Sequence, residues 1–160
     1  MMGIEEERFD YWWDKSKPFV QDALDRDGGS YTVDDVLQEI KDDKALFYPV
    51  RDGASVFRVI SYPQKRMLRI WLVGGDMSAT VDGESVVSAV LNAADYHAHK
   101  HNCAGVELEG RKGWEKVLKP YGFDYFYLCT VELEIYFTES LHFFVKGGRK
   151  HILTNATNGA

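Results

Sequence analysis

Long apolar runs are scarce in this sequence of 160 residues. The longest, such as Ile70-Trp71-Leu72-Val73, fall far short of the roughly 20 residues needed to cross a bilayer, so no membrane contact of that kind is expected. A secretory start is also missing. Residues 1–8 are acidic and lack the basic head and apolar stretch of a signal peptide, which predicts no export by that route. Excess positive charge is lacking as well: 19 Lys plus Arg against 25 Asp plus Glu give −6, so general attraction to phosphate backbones is absent and nucleic acid is not expected as a partner. Only two cysteines occur, Cys103 and Cys129, without C-x-x-C spacing. That fits neither a disulfide framework nor a structural zinc site, and both read as reduced, buried, small side chains.

What the sequence does have is apolar and aromatic mass: 45% hydrophobic and 14% aromatic residues, with four Trp, nine Tyr and nine Phe. A chain of this length is one domain's worth and can bury a sizeable core. From Phe9 to Arg26 apolar residues recur at helical spacing, with Pro18 expected to break or kink the helix. Thr32 followed by Asp35 reads as a capping box opening a helix to about Lys41, with Val33, Val36, Leu37 and Ile40 facing the core. Three extended stretches follow, 45–50, 55–62 and 66–73, joined by Arg51-Asp52-Gly53 and Pro63-Gln64-Lys65, a predicted antiparallel meander. Residues 84–101 are helical, with Val87, Leu91, Ala94 and Ala98 on one face and Asn102 as terminator. Residues 103–108 return to extended structure, 112–119 form a short helix stopped by Pro120 and Gly122, and 123–145 form a hairpin divided at Thr138-Glu139-Ser140. A strand, helix and strand over 66–108 imply one right-handed parallel pair in an otherwise antiparallel, twisted sheet. The predicted class is α/β, a single domain over 1–146, followed by a tail over 147–160 of glycine, small polar residues and a basic patch, with Ile152 and Leu153 as apolar anchors.

This element order, together with Val117-Leu118-Lys119-Pro120-Tyr121-Gly122-Phe123, resembles the GNAT-type N-acetyltransferase fold over residues 32–145. The resemblance implies an acetyl-coenzyme A pyrophosphate held at the start of the central helix by a loop reading Gln or Arg, two residues, Gly, one residue, Gly or Ala. In Thr80-Val81-Asp82-Gly83-Glu84-Ser85 only Gly83 fits, Asp82 and Glu84 oppose a diphosphate, and Glu84 reads as a first-turn helix residue. The Tyr that many members place four residues before the Gly-Phe glycine, to protonate the leaving thiolate, is Leu118 here. A small domain of this kind without the coenzyme loop is similar to virion-associated proteins of short-tailed phages, as is the Lys146-Gly147-Gly148 junction before a Thr/Asn-rich end.

The expectation is therefore a non-catalytic interaction or assembly protein of a phage particle, found in the virion or the cytoplasm of the infected bacterium. No cofactor is expected on that reading, and its protein contacts are Trp12, Trp13, Tyr125, Tyr127, Ile152 and Leu153. Trp12 and Trp13, being adjacent, do not both point inward from one helix. The alternative is an acyl-CoA-dependent N-acetyltransferase with a modified pyrophosphate loop. Leu72 and Val73 would then offer backbone groups to the pantetheine, Gly83 would lie near the phosphates, and Glu107 or Tyr121 would transfer the proton. A third reading is a small regulatory or inhibitory protein that binds a host enzyme. On a predicted strand Glu107 and Glu109 share one face, with Arg111 or Lys112 as expected ion-pair partners. His97 and His101 share a helix face while His99 does not; the pair reads as complementing the helix end, and no metal site is assigned.

Overall fold

The computed structural model describes residues 6–26, 29–76, 80–81, 84–110, 114–132 and 138–147. Helix α1 spans Glu6–Asp25 and α2 Val33–Lys41. Strands β1 (Leu46–Val50), β2 (Gly53–Ser61) and β3 (Arg66–Gly75) follow, then a short pair, β4 (Thr80–Val81) and β5 (Glu84–Ser85). Helix α3 (Val86–Lys100) leads to β6 (Gly105–Gly110), α4 (Trp114–Leu118) with a 3-10 turn over Lys119–Tyr121, and the strands β7 (Asp124–Glu132) and β8 (Thr138–Gly147). Six strands are ordered β1-β2-β3-β6-β8-β7, mostly antiparallel, with β3 and β6 as the one parallel pair bracketing α3. The α/β class and mixed sheet expected from the sequence are thus observed.

The chain forms two compact units, one comprising 1–59 with 70–96, the other 60–69 with 97–160. In the first, α1 and α2 bury Phe9, Trp13, Val20, Leu24, Val36 and Ile40 with Phe47, Val56 and Leu72. Phe9, Trp13 and Phe47 pack as an aromatic trio with centroid separations of 5.3 to 6.0 Å. Contrary to expectation, α1 runs unbroken through Pro18. The proline removes one intrahelical hydrogen bond, but Pro18 and Asp14, whose carbonyl loses its partner, both face solvent, while the apolar stripe on the opposite side stays anchored. The capping box at α2 is present: Thr32 Oγ1 accepts from Asp35 N at 3.1 Å, and Asp35 accepts from Thr32 N at 2.8 Å. Asp35 is held below the usual carboxylate range by these bonds.

Close backbone approaches fix the ends of β2 and β3. A Cβ on Gly74 would lie 1.9 Å from the Phe19 carbonyl oxygen, and one on Gly75, at φ +116°, would lie 2.4 Å from Asp52 O. Pro49 sits on β1, an edge strand, where a missing N–H is tolerated. On α3 the buried residues are Val86, Val90, Leu91 and Ala94, then Ala98 in the second unit; Val87 is half-buried, a rotation of the expected face toward the i, i+4 row.

In the second unit β8 pairs with β6 and with β7, both antiparallel. Thr138-Glu139-Ser140 pairs with Glu132, Val131 and Thr130, so it begins β8 instead of dividing the hairpin, and the connection at 133–137 lies outside the described residues. A register shift between Tyr125 and Tyr127 places them opposite Phe144 and Phe143, consecutive positions of β8, so alternation counted along the sequence does not carry across this bulge. Asn102 ends α3 with φ 56°, as Cys103 N returns to Ala98 O at 2.8 Å. Gly122, at φ 88°, closes the 3-10 turn. Cys103 is half-buried, not fully buried as expected, because it sits in the turn leaving α3; burial still pushes its thiol up. Strand β8 runs to Gly147, and the rest of the expected tail, with Ile152 and Leu153, lies outside the described residues.

Candidate functional site

Among the described residues of the second unit one carboxylate is buried, and its surroundings are built by β6, β3 and the β2–β3 turn. Strand β6 alternates, so Val106 and Leu108 are buried on one side while Glu107 and Glu109 belong to the other. Glu109 is exposed, yet Glu107 is 1% exposed. The difference comes from the β2–β3 turn. Tyr62 N donates to Lys65 O at 2.8 Å, a tight turn with Pro63 and Gln64 at its tip, which fixes Tyr62 after the end of β2. From there the Tyr62 hydroxyl donates to Glu107 Oε1 at 2.8 Å, with Oε2 at 3.1 Å. Arg69, on β3, donates from Nε to Glu107 Oε1 at 3.2 Å and forms an ion pair with the same oxygen at 3.1 Å. Its other contact closes the triangle: Arg69 Nη2 donates to the Tyr62 hydroxyl at 3.2 Å.

A carboxylate out of water needs both charge compensation and filled lone pairs, and this arrangement supplies the two together. Burial, reinforced by the hydrogen bond and the negative charge of Glu107, pushes the Tyr62 phenol above its usual range. Burial is the largest single effect on Arg69 and works against its charge, but the charge and hydrogen bond of Glu107 together with Tyr62 and Glu109 outweigh it, so the guanidinium is held more firmly protonated than usual. Lys65 is lowered by burial, which Glu107 opposes. The sequence reading singled out Glu107 but assigned its ion pair to Arg111 or Lys112, which lie outside the described residues; Arg69 is the partner found.

The remaining expected site residues are dispersed. Tyr121 is half-buried in the 3-10 turn, and Leu118, at the position of the family's acid, is buried with no polar group to offer. Leu72 is buried in the first unit's core and Val73 is half-buried. The Val73 carbonyl accepts from Arg26 Nη2 at 3.3 Å, which brings a guanidinium to the last residues of β3. Gly83 and Asp82 lie outside the described residues. Glu84 belongs to β5, opposite Val81, and not to the first turn of α3 as expected, because the helix starts at Val86. Ser85 Oγ accepts from Ser88 N at 3.0 Å, and the first turn of α3 carries no acidic residue. These residues fit a coenzyme A thioester in part: the first turn of α3 has no acidic side chain, β3 ends in Gly74-Gly75 and Arg26 reaches Val73, while Glu84, directly before the Ser85 cap, opposes a diphosphate.

Among the expected contact residues, Trp13 is buried in the core, which removes it as a surface contact, whereas Trp12 is half-buried. Only the backbone of Tyr125 and Tyr127 is described. His97 and His101 stack with ring centroids 6.3 Å apart, and among the described residues no three His, Cys, Asp or Glu side chains gather as a metal ion would require. Among the described residues no helix is long and apolar enough to cross a membrane.

No family model and no curated protein matches the chain. Solved structures do. A chain of the NatC complex bound to Gag peptide and CoA superposes with a TM-score of 0.64 at 10% identity, covering 91% of this chain and 96% of that one. The fold is GNAT-like. A spermidine N-acetyltransferase, a SpeG chimera from Vibrio cholerae and hSSAT, superposes with a TM-score of 0.52 at 14% identity, covering 76% of this chain and 80% of that one. Across the GNAT-like frame of this chain, Glu107 lies on the strand after the central helix, and Tyr62 and Arg69 lie at the turn into and on the strand before it.

Proposed function

We propose that the protein is an acyl-CoA-dependent N-acyltransferase, the reading expected second from the sequence. The observation that carries it is a carboxylate buried on the strand after the central helix of a GNAT-like fold, joined to an arginine on the strand before that helix and to a partly exposed phenol at the turn into that strand. A coenzyme A thioester supplies the activated acyl group; with a primary amine the products are an amide and the free thiol, one proton passing from nitrogen to sulfur. On this reading Leu72, Val73 and Gly83 remain the candidates for holding the donor, and Glu107, ion-paired with Arg69, receives the acceptor's proton. Tyr121, half-buried in the 3-10 turn, is the weaker proton-transfer candidate.

The test is calorimetric titration with acetyl-CoA and with coenzyme A, using Gly83→Trp as control. Saturable micromolar heat that the variant loses is expected. Neither heat nor thermal stabilisation at millimolar ligand would refute the reading.

An assembly role in a phage particle is the second reading. One observation favours a protein contact: on α1 the exposed Tyr11 stacks edge-on against Trp12 at 5.6 Å, with the Lys15 ammonium 5.0 Å from the Tyr11 ring. Recovering the chain among the proteins of purified particles would decide for it.

A further inference from the structure

Glu107 has a difficulty as a proton acceptor: at 1% exposure it does not meet an acceptor amine directly. Its hydrogen-bond partners differ in what they can pass on. Arg69 stays protonated through any accessible pH and only positions the carboxylate. The Tyr62 hydroxyl both donates to Glu107 at 2.8 Å and accepts from Arg69 at 3.2 Å, and Tyr62 is 37% exposed where Glu107 is 1% exposed. The phenol therefore has one exchangeable proton, directed inward, and an oxygen whose environment already includes a cationic donor.

We propose that Tyr62 is the group that takes the acceptor amine's proton, passing its own phenolic proton inward to Glu107 in the same event. This rests on the acyltransferase reading above. In the step, an N–H bond of the amine breaks and a new O–H bond forms on Tyr62 as the old O–H bond breaks toward Glu107; the nitrogen keeps the electron pair. Tyr62 is neutral before and after, so no phenolate is formed. That matters because Glu107 and burial both disfavour a second negative charge there. Arg69, Lys65 and Glu109 are the other charged groups around the network, and Arg69 is the positioning residue, holding the carboxylate and the phenol oxygen together. The absence of a proton donor at Leu118 is then no obstacle, since the proton stored on Glu107 can return outward by the same route to the departing thiolate, which becomes the free thiol.

The experiment compares wild type with Tyr62→Phe, using acetyl-CoA as donor and spermidine and a peptide with a free α-amino group as acceptors, with thiol release as readout. Loss of proton transfer predicts kcat lower by about 100-fold with the KM for acetyl-CoA unchanged. It also predicts a changed pH profile: the wild-type plateau gives way to a rate that climbs with hydroxide. A loss by the same factor at every pH, or none, would overturn the proposal while leaving the acyltransferase reading intact. Wild-type protein that neither binds acetyl-CoA nor acylates either acceptor would overturn both. A readout independent of turnover is the Tyr62 ring-carbon shift against pH in the unliganded protein. The phenol is expected to titrate above free tyrosine and to come down in Glu107→Gln; a phenol that titrates as free tyrosine and ignores that substitution would sink the proposal whatever the rates.

Discussion

Replacing Arg69 with Met tests whether Glu107 is held by charge compensation. The substitution keeps an unbranched apolar stem but removes the Nε hydrogen bond at 3.2 Å and the ion pair at 3.1 Å, leaving a carboxylate at 1% exposure with the Tyr62 hydroxyl as its neutral partner in the triangle. Breaking a buried pair from one side costs about 3–5 kcal/mol. The Arg69 side chain is itself 28% exposed, so part of the pair's field is already screened and the lower end, about 3 kcal/mol, is expected. At this chain length that corresponds to roughly 6–12 °C in Tm. The assay is urea denaturation followed by circular dichroism, run as a cycle with Glu107→Gln and the double variant. Because the penalty lies in an unpaired charge, the double variant should recover more than half of the Arg69→Met loss. An Arg69→Met protein within about 0.5 kcal/mol of wild type, or a double variant whose losses simply add, would refute the reasoning.

Two further outcomes are expected. Gly74→Ala would place a Cβ 1.9 Å from the Phe19 carbonyl oxygen, and since backbone cannot rotate away, α1 must back off from the core; a loss of about 3 kcal/mol or more is expected by denaturant titration, with wild-type stability refuting the contact. For His97, burial, then the charges of His101 and Lys100, lower the folded-state pKa below the ordinary value of 6.5. A histidine lowered in this way contributes stability above its unfolded pKa that is lost as pH falls through the folded one, so the urea midpoint should drop from pH 7 to pH 5 more steeply in wild type than in His97→Gln.

Local signals were readable and long-range ones were not. The capping box at Thr32 and the Asn102 terminus are decided by residues three to five apart, and the structure places both where the spacing predicts. Alternation along β6 pointed to Glu107, but its partners are 45 and 38 residues away in sequence, and no periodicity links a turn tyrosine to a carboxylate on a later strand. A carboxylate between Val106 and Leu108 reads as the solvent side of a strand; only the chain returning over it makes it buried. The helix through Pro18 went the other way, since tertiary packing of Phe9, Trp13 and Val20 outweighed a local breaker. The small β4–β5 ladder was missed because two-residue strands have no period to detect.

Strand β3 also carries a built-in optical gauge. The Arg58 guanidinium lies 4.5 Å from the Trp71 ring and pairs with Glu39 at 3.7 Å, while Tyr31 meets the same indole edge-on at 4.9 Å. Tyr31 immediately precedes the residue that caps α2, so the stack is tied to how the chain enters that helix. Any loosening of that entry separates a tyrosine donor from its indole acceptor. In a variant whose single indole is Trp71, energy transfer from Tyr31 would register that event, which makes fluorescence a local clock for the first unit.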